Sequence, residues 1–312
     1  MKKFIGSILG LALSGGLGMG VYYFTGDRQA AMDAAAEVYE RVADNGKDSR
    51  KGSVEKKDAG NVRRLEVPAA LKGTPERIIE HTGFILSFNR EKNNPNWVAW
   101  ELAADETDGN EVRSNEFLPD PMVPEPHRVT TYDYRGSGYD RGHMCPAADM
   151  KWSAEAMHDC FYMSNICPQT HSLNGGGWQV LEKACRRWAR QEGGVYIICG
   201  PVYGRVGGAA NVRGLAKRGG EQPERKGKEV KIGSEHQVTV PDGFFKCVLS
   251  VKPGEEKAIA FYYANNGSPQ TMQDAAVSVD DLEALTGMNF FINLDRRTEA
   301  RVEAEYDLKA WR

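Results

Sequence analysis

Two segments decide how this chain folds: YDRGHM at residues 139–144 and SNICPQTHSLNGGGWQVLE at residues 164–182. The second segment runs into a helical pattern that covers residues 177–191. The large apolar residues of this pattern fall on one face of the helix: Trp178, Leu181, Cys185 and Trp188. An apolar stripe of this kind predicts a helix that docks onto a sheet.

Short strand-like runs separated by glycine, proline and asparagine surround these segments. They cover residues 84–88, 97–100, 195–199, 244–251 and 258–263, and the first two predict a strand pair across NREKNNPN. A second helical pattern begins after Ser278, which has the position of an N-cap, and covers residues 279–285. We therefore expect an α+β fold with a largely antiparallel central sheet flanked by helices.

The composition is that of a folded globular protein. Of its 312 residues, 41% are hydrophobic and 27% are charged, with a formal net charge of −3. These values exclude collagen-like, disordered and multi-spanning membrane classes as descriptions of the whole chain. A polyanion would have to bind a local basic patch, because the overall field of the protein does not attract it.

The two segments contain the groups that phosphodiester hydrolysis requires: a base for water, a ligand for a cation, and donors for the developing charge. An unperturbed histidine titrates near pH 6.5, so His143 would accept a proton at neutral pH. The amide oxygen of Asn174 is a hard ligand suited to Mg²⁺. Glu182 and Arg186 are four residues apart and share a helical face, where they would orient metal-bound water and face the phosphate.

The DRGH run at 140–143 and the pattern at 164–182 resemble the DNA/RNA non-specific endonuclease family. The likeness begins near Phe84, passes through residues 113–117 and continues to residues 277–294. It implies a ββα-metal nuclease fold that cleaves DNA and RNA with little sequence preference. It also implies one hydrated Mg²⁺, for which Mn²⁺ could substitute.

The resemblance assigns a role to each site residue. His143 would be the general base, and Asn174 would be the only direct protein ligand of the metal. Glu182 would hold metal-bound water, Asp140 would orient its neighbours, and Asn165 matches a position with structural and active-site roles. Three arginines would contact the phosphate or its transition state: Arg113, Arg141 and Arg186.

Two other functions stay open on the sequence alone. A non-catalytic nucleic-acid-binding protein on the same scaffold would not need His143, Asn174 and Glu182 together. A hydrolase of another phosphodiester, such as a nucleotide or a lipid headgroup, would need a closed pocket instead of an open basic groove. Residues 205–231, rich in glycine, lysine and arginine, form either a surface that follows a phosphate backbone or a solvated loop.

The chain has six cysteines: Cys145, Cys160, Cys167, Cys185, Cys199 and Cys247. No two of them form a CxxC pair and none has a recognisable nucleophile context, which disfavours a zinc site and a cysteine nucleophile. We expect structural roles, bridged or buried. Cys199 and Cys247 lie in two strand-like runs and form the predicted disulfide.

The N-terminus has the order of a secretory signal or a membrane anchor, since two lysines precede an uncharged run. Residues 1–25 are therefore predicted to be a signal peptide or an anchor. Residues 26–74 form a charged linker with a short helix over 30–43, and residues 75–312 form the nuclease domain. The expected location is membrane-anchored facing outward or periplasmic, and otherwise secreted. DNA and RNA are the expected partners. The membrane would be a further partner if the N-terminal segment is uncleaved, and a homodimer is left open.

Overall fold

The computed structural model describes residues 64–204, 207–219 and 229–311. The predictions for the N-terminal segment, including the signal or anchor and the helix over 30–43, lie outside these residues. Within the described ranges, no helix combines the length and the apolar character that a membrane span requires.

The central sheet is antiparallel throughout. The strands are β1 (Arg77–His81), β2 (Phe84–Asn89), β3 (Asn94–Ala103), β4 (Asp140–His143), β5 (Ile166–Gln169), β6 (Gly194–Val202), β7 (Lys231–Ile232), β8 (Val238–Thr239), β9 (Gly243–Ser250), β10 (Lys257–Ala264) and β11 (Ala276–Val277). The central sheet has the order β1-β2-β3-β6-β9-β10-β11, and β4–β5 and β7–β8 form two separate ribbons. Each neighbouring pair is antiparallel, which confirms the predicted sheet and the pairing of β2 with β3.

The helices lie between and after these strands. They are α1 (Ala154–Asp159), α2 (Gln179–Glu192), α3 (Ala209–Val212), α4 (Met272–Ala275), α5 (Val279–Thr286) and α6 (Arg296–Ala304). Ser278 caps α5, as predicted, because its side chain accepts a hydrogen bond from the Asp281 backbone N–H. α2 begins two residues later than predicted, since Gly176 has non-helical backbone angles inside a wide turn over Leu173–Trp178.

The sheet carries an apolar layer on each face. On one face, the predicted stripe of α2 packs against the sheet, and its four large residues are at most 1% exposed. On the other face, Leu282 of α5 and Val302 of α6 cover Phe245 and Tyr262. The β4–β5 hairpin contributes Cys167 to the first layer, so the two quoted segments lie on the α2 side.

Packing begins before the predicted domain start at residue 75. Leu65 is buried in the second layer, and Val67 and Leu71 pack against that layer. The Ala69 N–H donates to the Asn289 carbonyl at 2.9 Å. A few apolar residues are enough to anchor this segment, because the neighbouring elements supply the rest of the layer. The predicted linker, which ends at residue 74, therefore extends too far along the chain.

The predicted disulfide is wrong. All six cysteines are buried and free. Cys199 of β6 lies opposite Lys246 of β9, whereas Cys247 lies opposite Ile198. Because successive side chains of a strand point to opposite faces, the two thiols lie in different apolar layers.

Acidic side chains of α5 and α6 meet where these helices pack. One oxygen each of Asp280, Glu283 and Glu303 lie within 4.8 Å of one another. Glu303 is 5% exposed, and its Oε1 has no hydrogen-bond partner among the described residues. Burial, followed by the charge of Glu283, raises the pKa of Glu303 from 4.5 to about 9. Folded protein therefore holds a proton on Glu303 that unfolded protein releases at lower pH.

This proton makes the stability depend on pH. The contribution of Glu303 is fully present below pH 4.5 and is lost as the pH rises through about 9. Glu303→Gln, which removes the titration, should raise the Tm more at pH 8.5 than at pH 5. Calorimetry at both pH values checks this, with the exposed Glu305→Gln as the control. An equal Tm change at the two pH values would contradict the buried proton.

Candidate active site

A two-stranded hairpin followed by a helix carries the predicted site. β4 pairs antiparallel with β5, and α2 follows after the wide turn that contains Asn174. Gly142 is required in β4, because a Cβ there would lie 2.1 Å from Gln169 Oε1. The two quoted segments meet directly, since Asn174 Nδ2 donates to Asp140 Oδ2 at 2.9 Å.

His143 lies in a pocket with aromatic walls. Its side chain packs 4.9 Å from the Phe161 ring and 5.3 Å from the Phe117 ring, measured between centroids. Its Nε2 is buried and has no partner within the described ranges. Burial, followed by the positive charges of Arg113 and Arg141, lowers the pKa of His143 to about 3. The imidazole is therefore neutral at neutral pH and has a ring nitrogen free to accept a proton.

Asp140 is hydrogen-bonded to Asn174. Asp140 Oδ2 accepts from Asn174 Nδ2 and shares a second hydrogen bond with His171 Nδ1, both at 2.9 Å. With its nitrogen engaged, the Asn174 amide offers its oxygen as a neutral, hard ligand. This donor chemistry fits a hydrated divalent cation of the Mg²⁺ type.

A cavity of about 420 Å³ opens beside the β4–α2 junction. It is lined by Phe117, Thr131, Tyr134, Arg135, Tyr139, Asp140, Arg141 and Asn174. Asn174, the predicted metal ligand, and the guanidinium groups of Arg135 and Arg141 line the same cavity. It therefore provides space for a phosphate group beside a cation.

Two exposed arginines stack on the aromatic walls of the His143 pocket. The Arg141 guanidinium lies 4.4 Å from the Phe117 ring centroid, and that of Arg113 lies 5.0 Å from the Phe161 centroid. The stacking places both charges close enough to act on His143. Their positions suit the phosphate contacts predicted for them.

α2 presents Glu182 and Arg186 on one face. Arg186 Nη1 donates to Asp149 Oδ1 at 2.6 Å, and Trp100 Nε1 donates to Asp149 Oδ2 at 3.2 Å. Burial raises the pKa of Glu182 to about 7, and the nearby charge of Lys246 partly offsets this rise. Glu182, which is partly buried, thus belongs to a set of charges behind the hairpin.

Sequence reasoning missed two members of that set. Asp149 is 0% exposed and Lys246 is 1% exposed. The available indication for Lys246 was a lone charge inside the apolar run FFKCVLS, since lysine is almost never fully buried without a partner. Asp149 follows the DRGH run within a few residues and had no comparable indication.

Asn165 is not placed to contact a substrate. Its side chain is 0% exposed. Its Nδ2 donates to the carbonyls of Cys145 and Cys160 at 2.8 Å, and its Oδ1 accepts from the Cys145 N–H at 2.9 Å. Of the structural and active-site roles predicted for Asn165, these contacts support the structural one, because the amide joins the end of β4 to the end of α1.

Two arginines of the basic segment 205–231 donate hydrogen bonds within the protein, which weakens the interpretation of this segment as a phosphate-binding surface. Arg213 Nη2 donates to the Asp274 carbonyl at 2.6 Å, and Arg218 Nη2 donates to the Asn211 carbonyl at 3.0 Å. Both guanidinium groups are therefore engaged by backbone carbonyls of this chain. Residues 205–206 and 220–228 lie outside the described ranges.

Several known proteins are similar to this chain in sequence or in fold. The chain is 34% identical over 232 residues to "Nuclease EXOG, mitochondrial" of Xenopus laevis, covering 72% of this chain and 61% of that protein. It is 34% identical over 236 residues to "Nuclease 1, mitochondrial" of Schizosaccharomyces pombe, covering 72% and 68%. A chain in the crystal structure of the EndoG/EndoGI complex has a TM-score of 0.65 at 24% identity, covering 77% of this chain and 96% of that one.

The predicted export is wrong. It disagrees with the two relatives, which are both named as mitochondrial nucleases. A lysine pair followed by an apolar run describes the start of a targeting segment without fixing its destination.

The family model described as "DNA/RNA non-specific endonuclease" matches residues 65–297, well over half of the chain. The match includes the β4–β5 hairpin, Asn174 and α2. The structural likeness confirms the predicted ββα-metal nuclease fold. The chain therefore belongs to the DNA/RNA non-specific endonuclease family.

Proposed function

We propose that this chain hydrolyses phosphodiester bonds of DNA and RNA, with little sequence preference and with a bound metal ion. One observation carries the proposal: the neutral, buried His143 and the amide of Asn174 lie on one hairpin–helix unit. The relatives named as nucleases support it. A protein that only binds nucleic acid would not need this pair of groups.

Mg²⁺ is the proposed ion, and Mn²⁺ would substitute for it, because Asn174 provides a neutral oxygen ligand. When bound, the cation supplies positive charge that stabilises the charge developing on the phosphate. Asp140 holds the Asn174 amide in its orientation. Glu182 would bind the hydration shell of the ion from the neighbouring face of α2.

His143 would accept the proton of the attacking water at Nε2. A pKa of about 3 is low for a base. A phosphate bound beside Arg113 and Arg141 would offset those two charges, which lower the pKa of His143 less than burial does. The proton affinity of His143 therefore rises when substrate is bound.

The first test uses the purified full-length chain with supercoiled plasmid and with single-stranded RNA. In Mg²⁺ we expect both to be degraded to short products without discrete bands. EDTA should stop the reaction, and excess Mg²⁺ should restore it. Light scattering on the same preparation checks the homodimer, which stays a prediction.

Each alternative gives a different result in this assay. Binding without cleavage would identify a non-catalytic nucleic-acid-binding protein. Hydrolysis of a small phosphodiester with both polymers intact would identify a different hydrolase. Full activity in EDTA would remove the metal from the mechanism.

A further inference from the structure

Three carboxyl groups meet between α5 and α6, on the face of the sheet opposite the candidate active site. Asp280 and Glu283 are three residues apart on α5, so they share one side of that helix. Glu303 is the last residue but one of α6. One oxygen of each group lies within 4.8 Å of the others. The packing of two helices thus holds together three groups of like charge.

The Glu303 side chain is buried and offers an oxygen without a partner. It is 5% exposed, and its Oε1 has no hydrogen-bond partner among the described residues. Buried polar atoms are nearly always hydrogen-bonded or bound to water or an ion. Asp281, the neighbour of Asp280, shows the usual arrangement, since its oxygens accept from the backbone N–H groups of Gly214 and Ala216 at 2.8 and 3.0 Å. Glu303 therefore differs from a carboxylate that only supports the fold.

The charges around Glu303 are negative. Those that act on it most strongly belong to three other carboxyl groups, which are Glu283, Glu299 and Asp280. Glu303 also lies in the last turn of α6, where the negative end of the helix dipole adds to the repulsion. A buried carboxylate requires a positive partner or a proton. A cation would therefore stabilise this cluster more than any other kind of ligand.

The arrangement suits Ca²⁺. This ion binds six to eight oxygens at 2.3–2.6 Å in flexible geometry, so two of its ligands can be up to about 5 Å apart. The three carboxyl oxygens lie within that limit. Mg²⁺, with bonds of about 2.0–2.1 Å and strict octahedral geometry, tolerates a narrower range. Asp280 and Glu283 are partly exposed, which gives water ligands access to the ion.

The cluster is held in place before an ion binds. Glu283 Oε1 accepts from the Phe290 N–H at 2.7 Å, and Phe290 is 0% exposed. Glu303 follows Val302, which packs in the same apolar layer as Leu282 of α5. Because the carboxyl groups are already positioned, binding costs little conformational entropy.

We propose that Asp280, Glu283 and Glu303 form a calcium site that joins α6 to α5. The ion replaces the proton that Glu303 otherwise holds, and this proton passes to solvent. Its two positive charges compensate two of the three carboxylates. The site is distinct from the proposed catalytic ion, because Asn174 lies on the other side of the sheet. Its role is to stabilise the helical layer, and it requires no nuclease activity.

The test uses the full-length chain with Asn174→Ala, which removes the proposed ligand of the catalytic ion. After treatment with EDTA and its removal, isothermal titration calorimetry should show one Ca²⁺ bound per chain. Ca²⁺ at about a hundredfold its Kd should raise the Tm by about 5–10 °C relative to EDTA. Mg²⁺ at the same concentration should give a smaller shift.

Two substitutions in this protein locate the ion. Glu303→Gln should abolish both calcium binding and the Tm shift. The same change should raise the Tm in EDTA at pH 8.5, because it removes the buried titration, so poor folding does not explain the loss. Asp280→Asn changes a partly exposed ligand and should weaken calcium binding by about tenfold or more. The control is Glu305→Gln, which removes an exposed carboxyl group next to α6 and should change neither result.

Three results would contradict the site. Asn174→Ala protein that binds no calcium would show that the cluster holds only a proton. Calcium binding that survives both Glu303→Gln and Asp280→Asn would place the ion elsewhere. A larger Tm shift with Mg²⁺ than with Ca²⁺ would overturn the choice of ion. The proposed nuclease function is tested separately, because none of these measurements follows cleavage.

Discussion

Replacement of His143 by alanine should abolish cleavage of DNA and RNA while leaving the fold and nucleic-acid binding nearly intact. Removal of a general base typically costs about 10²–10⁴-fold in rate. Binding should survive because Arg113 and Arg141 stack on Phe161 and Phe117, and neither contact uses the imidazole. Rates from plasmid nicking, with affinities from fluorescence anisotropy in Ca²⁺, check the two halves of this prediction.

The matched control is His158→Ala, which removes an exposed histidine that packs edge-to-face against Tyr162 outside the site. This variant should cleave at the wild-type rate. Wild-type turnover by a contaminant-free His143→Ala preparation would place the base elsewhere. Loss of both binding and cleavage would show that His143 maintains the structure instead.

Replacement of Asn174 by alanine should depress activity and raise the Mg²⁺ concentration required, by about tenfold or more, because it removes the proposed direct protein ligand of the ion. Asn174→Asp keeps an oxygen and adds charge, so it should recover part of the activity. The new carboxylate would lie beside Asp140, where the amide nitrogen now donates at 2.9 Å. The repulsion should make recovery depend on high Mg²⁺.

Mg²⁺ titrations of cleavage by the three proteins measure this directly. We expect the Asn174→Asp curve to lie between those of wild-type protein and Asn174→Ala. An unchanged Mg²⁺ titration for Asn174→Ala would place the metal ligand elsewhere.

The sequence indicated the parts of the site that are local in the chain. Asp140, His143 and Asn174 lie on a strand and a turn whose contact is set by one hairpin and the helix that follows it. Glu182 and Arg186 share a face because helical spacing alone requires it. Motif and spacing are therefore enough to predict that these residues lie together.

The parts that depend on long-range packing could not be predicted. Lys246 lies beside Trp100 and Trp178 only because β3, β6 and β9 are neighbours in the sheet. The separation of Cys199 from Cys247 depends on a register that a shift of one residue would reverse. The resemblance gave Asn165 both structural and active-site roles, and only the fold shows that its side chain binds the backbone of Cys145 and Cys160.

The central claim is that the His143 imidazole is the base, and chemical rescue tests it most directly. A His143→Gly variant leaves space between Phe117 and Phe161 for free imidazole. We predict that added imidazole restores plasmid cleavage in a concentration-dependent way, in Mg²⁺ but not in EDTA, and that it gives no recovery to Asn174→Ala. A folded His143→Gly protein that binds DNA but shows no response to imidazole at any pH would contradict the account.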